Sequence, residues 1–210
     1  MRAVCFDLDD TLYPYEQYVD SGFRAAADVL EDEFGVDLYE AFVASYEAGH
    51  RSDAFDRVLA ANGFPERDVD DLVAAFHSRV GPLELYPGVR RLIEKLADDY
   101  RLAVITDGRN GHEKLDELGL ADVFDAAWVS PERGVTKREP EPFLTTLEEL
   151  GVDPSHATHV GDHPRYDVAV PNELGVRTVR VRQGRYADRP SPTPPSTEID
   201  SIGAVGSSFD

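Results

Sequence analysis

The sequence predicts an α/β fold, in which a parallel sheet with helices on both faces carries an inserted all-helical cap domain. Three observations support this prediction: an apolar segment at residues 3–6, a block of about 65 residues with only helical patterns, and then a regular alternation of β-rich and helical segments. Such alternation is typical of a parallel sheet covered on both faces. We therefore expect an α/β core formed by 1–14 and 82–210, and a helical cap domain formed by 15–81.

The first strand and the helical block are indicated by different periodicities. Residues 3–6 are apolar and are followed by acidic residues, so we predict a strand there. From residue 15 onward, apolar residues recur at spacings of three and four until Gly35, which predicts an amphipathic helix. Further helical patterns are predicted at 38–48, 53–61 and 69–80, before Gly81-Pro82.

After Pro87-Gly88 the chain alternates between the two patterns. Helices are predicted at 89–96, 114–118, 140–150 and 165–174. Strands are predicted at 102–105, 126–129, 158–160 and 176–181. These strands, together with the first one, are predicted to form a Rossmann-like parallel sheet. The tail from 187 onward is rich in Pro, Ser, Thr and Gly, which predicts a loop or frayed end with a short strand at 197–199.

The composition limits the partners of the protein. Its 21 basic and 41 acidic residues leave a formal charge of −20, which would repel a nucleic-acid backbone. We therefore expect no nucleic-acid partner. We also expect no membrane partner, since no apolar run approaches the length of a bilayer span. The absence of a leader-like segment before the first strand predicts a cytoplasmic protein. The acidic, lysine-poor composition resembles that of halophilic proteins. The single cysteine, Cys5, is predicted to be buried in the role of a small apolar residue.

Polar side chains follow the predicted strands, at the edge where parallel sheets bind ligands. The segments concerned are Asp7-Leu8-Asp9-Asp10-Thr11, Thr106-Asp107-Gly108, the stretch that carries Lys137, and Gly161-Asp162 with Asp167 five residues further on. Several carboxylates brought together would repel one another in a partly dry cleft unless a cation balanced them. Hard oxygen ligands favour Mg²⁺, which commonly binds carboxylates together with a substrate phosphate. The sequence therefore predicts a Mg²⁺ site that receives a phosphate ester.

In order and spacing, these segments resemble the four motifs of the haloacid dehalogenase superfamily, over residues 7–167. The helical block resembles the cap inserted between the first and second motifs in its dehalogenase-like and phosphoglucomutase-like branch. Two details depart from the common pattern. Asp107 stands where asparagine is frequent, and Arg138 follows Lys137 where proline is frequent, which leaves open whether Arg138 reaches the phosphate.

The resemblance implies a role for each motif residue. Asp7 would attack phosphorus and form an aspartyl-phosphate, Asp9 would act as general acid and base, and Lys137 would balance charge. The residues implied in binding the phosphoryl group or shaping its loop are Thr11, Thr106, Asp107 and Gly108. The residues implied in binding Mg²⁺ are Asp7, Asp9 through its carbonyl, Asp162 and Asp167.

The function predicted is hydrolysis of a small phosphorylated metabolite by a monomer or homodimer. A helical cap suits a small ester that it can shield from water. A phosphomutase, a 2-haloacid dehalogenase and a non-catalytic binding or regulatory protein remain alternatives. Asp9 and Asp162 argue against the dehalogenase, which needs neither a metal nor a paired acid and base.

Overall fold

The structure is a computed structural model that describes residues 2–64 and 69–208. The chain divides into two compact units. An α/β unit comprises Met1–Tyr15 and Leu83–Asp210, and a helical unit comprises Glu16–Pro82. None of the helices in these described ranges is long and apolar enough to cross a bilayer.

The α/β unit is built on a six-stranded sheet in the order β3-β2-β1-β4-β5-β6, with every neighbouring pair parallel. Its strands are β1 (Ala3–Phe6), β2 (Arg101–Thr106), β3 (Ala126–Val129), β4 (Ala157–Gly161), β5 (Arg177–Val181) and β6 (Thr197–Ile199). This is the strand order of the Rossmann fold, in which ligands bind where the order reverses, beside β1. The predicted fold class is confirmed.

Helices cover both faces of this sheet. The α-helices of the unit are α5 (Val89–Ala97), α6 (Gly111–Glu117), α7 (Ser130–Arg133), α8 (Glu141–Leu150) and α9 (Ala169–Glu173). Ala3 and Cys5 of β1 share a face with Ala103 and Ile105 of β2 in a buried cluster that includes Phe143 of α8. Burial raises the pKa of the Cys5 thiol to about 12, so the side chain stays protonated inside this cluster.

The helical unit contains α1 (Tyr15–Phe34, whose first residue belongs to the α/β unit), α2 (Tyr39–Glu47), α3 (Ala54–Ala61) and α4 (Asp70–Ser78). Within this unit several aromatic rings pack around Phe23. The Phe23 ring lies 5.7 Å from Phe42, 5.7 Å from Phe55 and 5.2 Å from Phe76, measured between centroids. Such packed ring pairs contribute about 0.5–1.5 kcal/mol each beyond the area they bury.

The helix after β4 is one of the elements whose limits differ from the sequence prediction. The helix predicted at 165–174 begins only at Ala169, because side chains bind the backbone just before it. The amides of Arg165 and Tyr166 donate to His163 Nδ1, and the His163 amide donates to Asp167 Oδ2. Local bonds of this kind compete with helical ones.

The C-terminal tail is more ordered than its composition predicts. It contains β6, which pairs with β5, and a 3₁₀ helix at Ile202–Ser208 that packs against α5. Ile202 and Val205 are fully buried, so two apolar side chains secure a segment otherwise rich in loop-forming residues. Two further 3₁₀ helices lie at Pro154–His156 and Gly184–Tyr186.

Candidate active site

The loop after β1 presents the first two acidic residues at the edge of the sheet. The Asp7 amide donates to the Val160 carbonyl of β4 at 2.8 Å, so the parallel pairing continues one residue beyond β1. Thr11 Oγ1 donates to Asp7 Oδ2 at 3.0 Å and accepts from the Asp162 amide at 3.1 Å. One threonine thus connects the loop after β1 with the loop after β4.

Lys137 lies between two buried carboxylates. Its Nζ is 2.5 Å from Asp7 Oδ1 and 2.7 Å from Asp167 Oδ1, and all three side chains are buried. Asp167 is also 3.0 Å from Nε2 of the buried His159. Gly161 is required beside it, because a β-carbon there would lie 2.3 Å from Asp167 Cγ.

The shared lysine affects its two acidic partners differently. Burial, opposed by the Lys137 ammonium, raises the pKa of Asp7 to about 7. Burial also acts to raise the pKa of Asp167, but Lys137 and the bond from His159 outweigh it and hold that pKa below its usual range. Burial lowers the pKa of His159, which therefore remains a neutral hydrogen-bonding partner. The negative charge of Asp167 thus compensates the positive charge of Lys137. Ionisation of Asp7 requires further positive charge nearby.

The buried carboxylates are suited to a hard cation. Ligand atoms of Asp7, Asp162 and Asp167 all lie within 4.8 Å of one another. Asp162 Oδ2 is buried and has no hydrogen-bond partner among the residues that the structure describes. Burial, followed by the charges of Asp7 and Asp167, raises the pKa of Asp162 well above its usual value. A divalent cation would satisfy the free oxygen and relieve the repulsion, so these residues fit Mg²⁺.

Asp9 is held by a different lysine. Asp9 Oδ1 accepts from Tyr13 Oη at 2.5 Å and from Lys114 Nζ at 2.7 Å. Lys114 lies on α6 and is fully buried. Gly108 permits the close approach of this group, because a β-carbon at 108 would lie 2.1 Å from Asp9 Oδ2.

Hydrogen bonds hold the loop after β2 and join it to the segment that carries Lys137. The Gly108 amide donates to Thr106 Oγ1 at 3.0 Å, which leaves the hydroxyl proton of Thr106 available to a ligand. The Asp107 side chain accepts from Ser130 Oγ at 2.6 Å and from the Lys137 amide at 2.9 Å. Asp107 therefore anchors the segment that carries Lys137, a contact that sequence spacing does not reveal.

Most of the candidate residues line one cavity of about 570 Å³ in the α/β unit. They are Asp7, Asp9, Thr106, Asp107, Gly108, Lys137 and Asp162. Thr11 and Asp167 are instead buried behind this wall, where they contact the lining residues. Arg138 lines the cavity, and its guanidinium lies 5.1 Å from the centroid of the Tyr166 ring.

Sequence reasoning missed the segment after β5, which supports the first acidic loop. Asp10 is only 2% exposed, has a φ of 61° and accepts from the Tyr15 amide at the start of α1. Arg185 Nε donates to Asp10 Oδ2 at 2.6 Å. Gln183 Nε2 donates to the carbonyls of Asp10 and Thr11, and its Oε1 accepts from the amide of residue 202. The two residues of this ion pair lie 175 positions apart, and no sequence pattern joins them.

Lys114 and His159 were also missed as parts of the site. A weak signal existed for Lys114, since the chain has only three lysines and this one follows the second motif closely. His159 lies within β4, where a histidine in an apolar strand carries no distinctive pattern.

The fold and the clustered carboxylates define a class of hydrolase that binds its ligand at the end of a Rossmann-like sheet. A match to the haloacid dehalogenase-like hydrolase family covers residues 1–175. The chain is 32% identical to a glyceraldehyde 3-phosphate phosphatase of Methanopyrus kandleri, over 95% of this chain and 93% of the relative. It is 31% identical to a ribulose-1,5-bisphosphate 5-phosphatase of Halopiger xanaduensis, over 89% of this chain and 87% of the relative.

Solved structures agree with this relationship. A 2-haloacid dehalogenase from Pseudomonas syringae is 28% identical and superimposes with a TM-score of 0.70, over 100% of this chain and 98% of that one. The fold is shared with the Bacillus subtilis protein YfnB, at 20% identity and a TM-score of 0.75, over 100% of this chain and 98% of that one. The chain belongs to the haloacid dehalogenase-like hydrolases, which confirms the resemblance drawn from its motifs.

Proposed function

We propose that this chain is a Mg²⁺-dependent phosphatase that hydrolyses a small phosphorylated metabolite through an aspartyl-phosphate on Asp7. The observation that carries the proposal is the arrangement of Asp7, which shares Lys137 with Asp167. Beside them lies an oxygen of Asp162 that accepts no hydrogen bond from the described part of the chain. A carboxylate held next to the Lys137 ammonium, with a second carboxylate oxygen nearby that can bind a metal ion, is suited to attack an anionic phosphate ester.

The names of related proteins support phosphate monoesters as the substrate class. Relatives of at least 30% identity include glyceraldehyde 3-phosphate phosphatases, a ribulose-1,5-bisphosphate 5-phosphatase and a phosphoserine phosphatase. These substrates share a phosphate ester on a small carbon skeleton. A cavity of about 570 Å³ has a volume within the range typical of small-molecule sites.

Asp7 acts as the nucleophile. Thr11 and Lys137 each hold one of its carboxylate oxygens, so the side chain has a fixed orientation before substrate binds. Its pKa of about 7 means that additional positive charge favours the ionised, nucleophilic form. Attack of a carboxylate oxygen on phosphorus forms the aspartyl-phosphate, and the P–O bond to the leaving group breaks.

The side chains of Asp7 and Asp162 and the carbonyl of Asp9 would hold Mg²⁺, and Asp167 would support this site through Lys137. When bound, the cation neutralises negative charge on the carboxylates and on the phosphoryl oxygens. Thr106 donates a hydrogen bond from its hydroxyl to a phosphoryl oxygen, and the backbone amide of Asp107 donates another. The Gly108 amide, which donates to Thr106 Oγ1, holds that hydroxyl in place.

Asp9 transfers the protons. It gives a proton to the leaving oxygen as the first P–O bond breaks, and its carboxylate then takes a proton from the water that attacks the aspartyl-phosphate. That attack releases inorganic phosphate and restores Asp7. Water as the final acceptor distinguishes this reaction from that of a phosphomutase, which returns the phosphoryl group to a sugar.

The proposal is tested by Asp7→Asn with p-nitrophenyl phosphate and a panel of phosphorylated metabolites in Mg²⁺. We expect phosphate release to fall to background, because an amide cannot form the aspartyl-phosphate. The melting curve should stay near that of the wild type. Asp99→Asn, at an exposed aspartate, is the matched control and should keep full activity.

Full activity of the Asp7→Asn variant would overturn the proposal. Activity that survives EDTA, or release of halide from a 2-haloacid without phosphate release from any ester, would favour the dehalogenase alternative. Transfer of phosphate between positions of a sugar without net release would favour the mutase.

A further inference from the structure

A buried lysine outside the four motifs contacts Asp9. Lys114 has no exposed surface, and its Nζ lies 2.7 Å from Asp9 Oδ1 although the residues are 105 positions apart. Lysine is seldom fully buried unless it is paired. Of the three lysines in the chain, Lys137 is buried at the Asp7 carboxylate, Lys114 is buried at Asp9, and Lys95 is exposed.

The contacts of Asp9 distinguish its two oxygens. Oδ1 accepts from Lys114 Nζ and from Tyr13 Oη at 2.5 Å. Oδ2 faces Gly108 at the cavity, where a β-carbon would lie 2.1 Å away. An oxygen that accepts two hydrogen bonds has used both lone pairs of its sp² geometry. A proton carried by the Asp9 carboxyl therefore belongs on Oδ2.

We propose that Lys114 is a positioning residue that, with Tyr13, directs the acid proton of Asp9 toward the leaving group. This inference rests on the proposed phosphatase function. As the P–O bond breaks, its electron pair goes to the leaving oxygen, which takes the proton from Oδ2. Asp9 is left as a carboxylate, and it regains a proton from the water that hydrolyses the aspartyl-phosphate. Lys114 keeps its own protons throughout.

Esters with different leaving groups separate this role from a structural one. An alkoxide leaves poorly without a proton, as from glycerol phosphate, whereas p-nitrophenolate leaves readily without one. The ratio kcat/KM reports the steps up to departure of the leaving group, so it excludes the later hydrolysis of the aspartyl-phosphate. A positioning role predicts selective loss with the alkyl ester.

The experiment compares Lys114→Met with the wild type on both esters in Mg²⁺. We expect kcat/KM for glycerol phosphate to fall by about 10²-fold or more, the usual contribution of a general acid. The value for p-nitrophenyl phosphate should change by less than about threefold, since its leaving group needs little protonation. Lys95→Met, at the exposed lysine, should leave both values unchanged.

Two further variants keep the test decisive. Asp9→Asn should show the same selective loss, and adding Lys114→Met to it should cost little more, since both changes remove one function. If Lys114→Met does not fold, Tyr13→Phe removes the other donor to Oδ1 and should produce a smaller loss with the same selectivity.

Equal losses on the two esters, in the folded Lys114→Met variant or in Tyr13→Phe, would overturn the positioning role. A failure of Asp9→Asn to show leaving-group selectivity would instead overturn the acid role of Asp9 in the proposed function. The two failures are thus distinguishable.

Discussion

The two compact units of this chain bury different kinds of side chain. Among the residues that the structure describes, every buried carboxylate, ammonium and guanidinium group lies in the α/β unit. In the helical unit the polar groups carried by buried residues of this set are the hydroxyls of Ser21 and Tyr18. Its interior otherwise combines aromatic rings around Phe23 with aliphatic side chains. One unit must balance buried charge, and the other mainly excludes water from apolar surface.

This difference has a consequence for how stability and chemistry are related. Buried charges are tolerated only when partners compensate them, and removal of one partner leaves an uncompensated charge. Lys137, proposed to act on the transferring group, is therefore also a residue on which the folding of the α/β unit depends. Ring packing in the helical unit has no such double role.

The largest effect is expected from Lys137→Met. The change leaves Asp7 and Asp167 without their shared ammonium, so we expect the free energy of unfolding to fall by about 3–5 kcal/mol in metal-free buffer. Activity should fall by about 10²–10³-fold, because a fixed cation at the transferring group is lost. Chemical denaturation and phosphate release measure the two effects.

Lys95→Met is the control for Lys137→Met and should change the unfolding free energy by less than about 0.5 kcal/mol. A Lys137→Met protein with wild-type stability would break the proposed link between compensation of charge and folding of the α/β unit.

A comparable loss of stability, without a change at the carboxylate cluster, is expected from Phe42→Ala. Phe42 is fully buried, and the ring contacts described for it are with Phe23 and Phe55 of the same unit. Truncation of a buried phenylalanine costs about 3–5 kcal/mol, which we expect in chemical denaturation of the helical unit. Mg²⁺ affinity, measured by calorimetry, should not change, because the carboxylate cluster lies in the α/β unit.

Phe34→Ala serves as the reference, since Phe34 is 43% exposed and should contribute less. Loss of Mg²⁺ binding in folded Phe42→Ala protein would contradict the separation of roles between the two units.

The smallest effect concerns pH and Mg²⁺. The pKa of Asp7 is about 7 when folded, against about 4 for a free aspartate, and that of Asp162 is also raised. The metal-free folded protein therefore binds more protons than the unfolded chain in this window, so its stability should decrease as pH rises from about 4 to about 7. Asp167 has a lowered pKa and contributes the opposite slope only at more acidic pH.

Mg²⁺ binds the ionised carboxylates, so it should stabilise the protein more at pH 8 than at pH 5. At about 100 times the dissociation constant the gain is about 2.7 kcal/mol, read as a rise in Tm that EDTA reverses. Asp162→Asn should reduce this rise. An equal rise at both pH values would argue against protons and Mg²⁺ competing for Asp7 and Asp162.

The sequence predicted features that depend on local pattern and failed where distant segments meet. The limits of β1 and β3 follow from short apolar runs, and the gathering of strand-end carboxylates follows from the geometry of parallel sheets. The contact between Lys114 and Asp9 joins residues of different loops, and no periodicity encodes it. Likewise, the bond from His163 to Asp167 shortens a helix whose apolar pattern suggested an earlier start.

The support that Gln183 and Arg185 give to the first acidic loop has a consequence during protein synthesis. The side chains that hold the carbonyls of Asp10 and Thr11 and the Asp10 carboxylate are translated more than 170 residues after them. The loop that carries Asp7 and Asp9 therefore obtains these hydrogen bonds only after the segment at 183–185 has been translated.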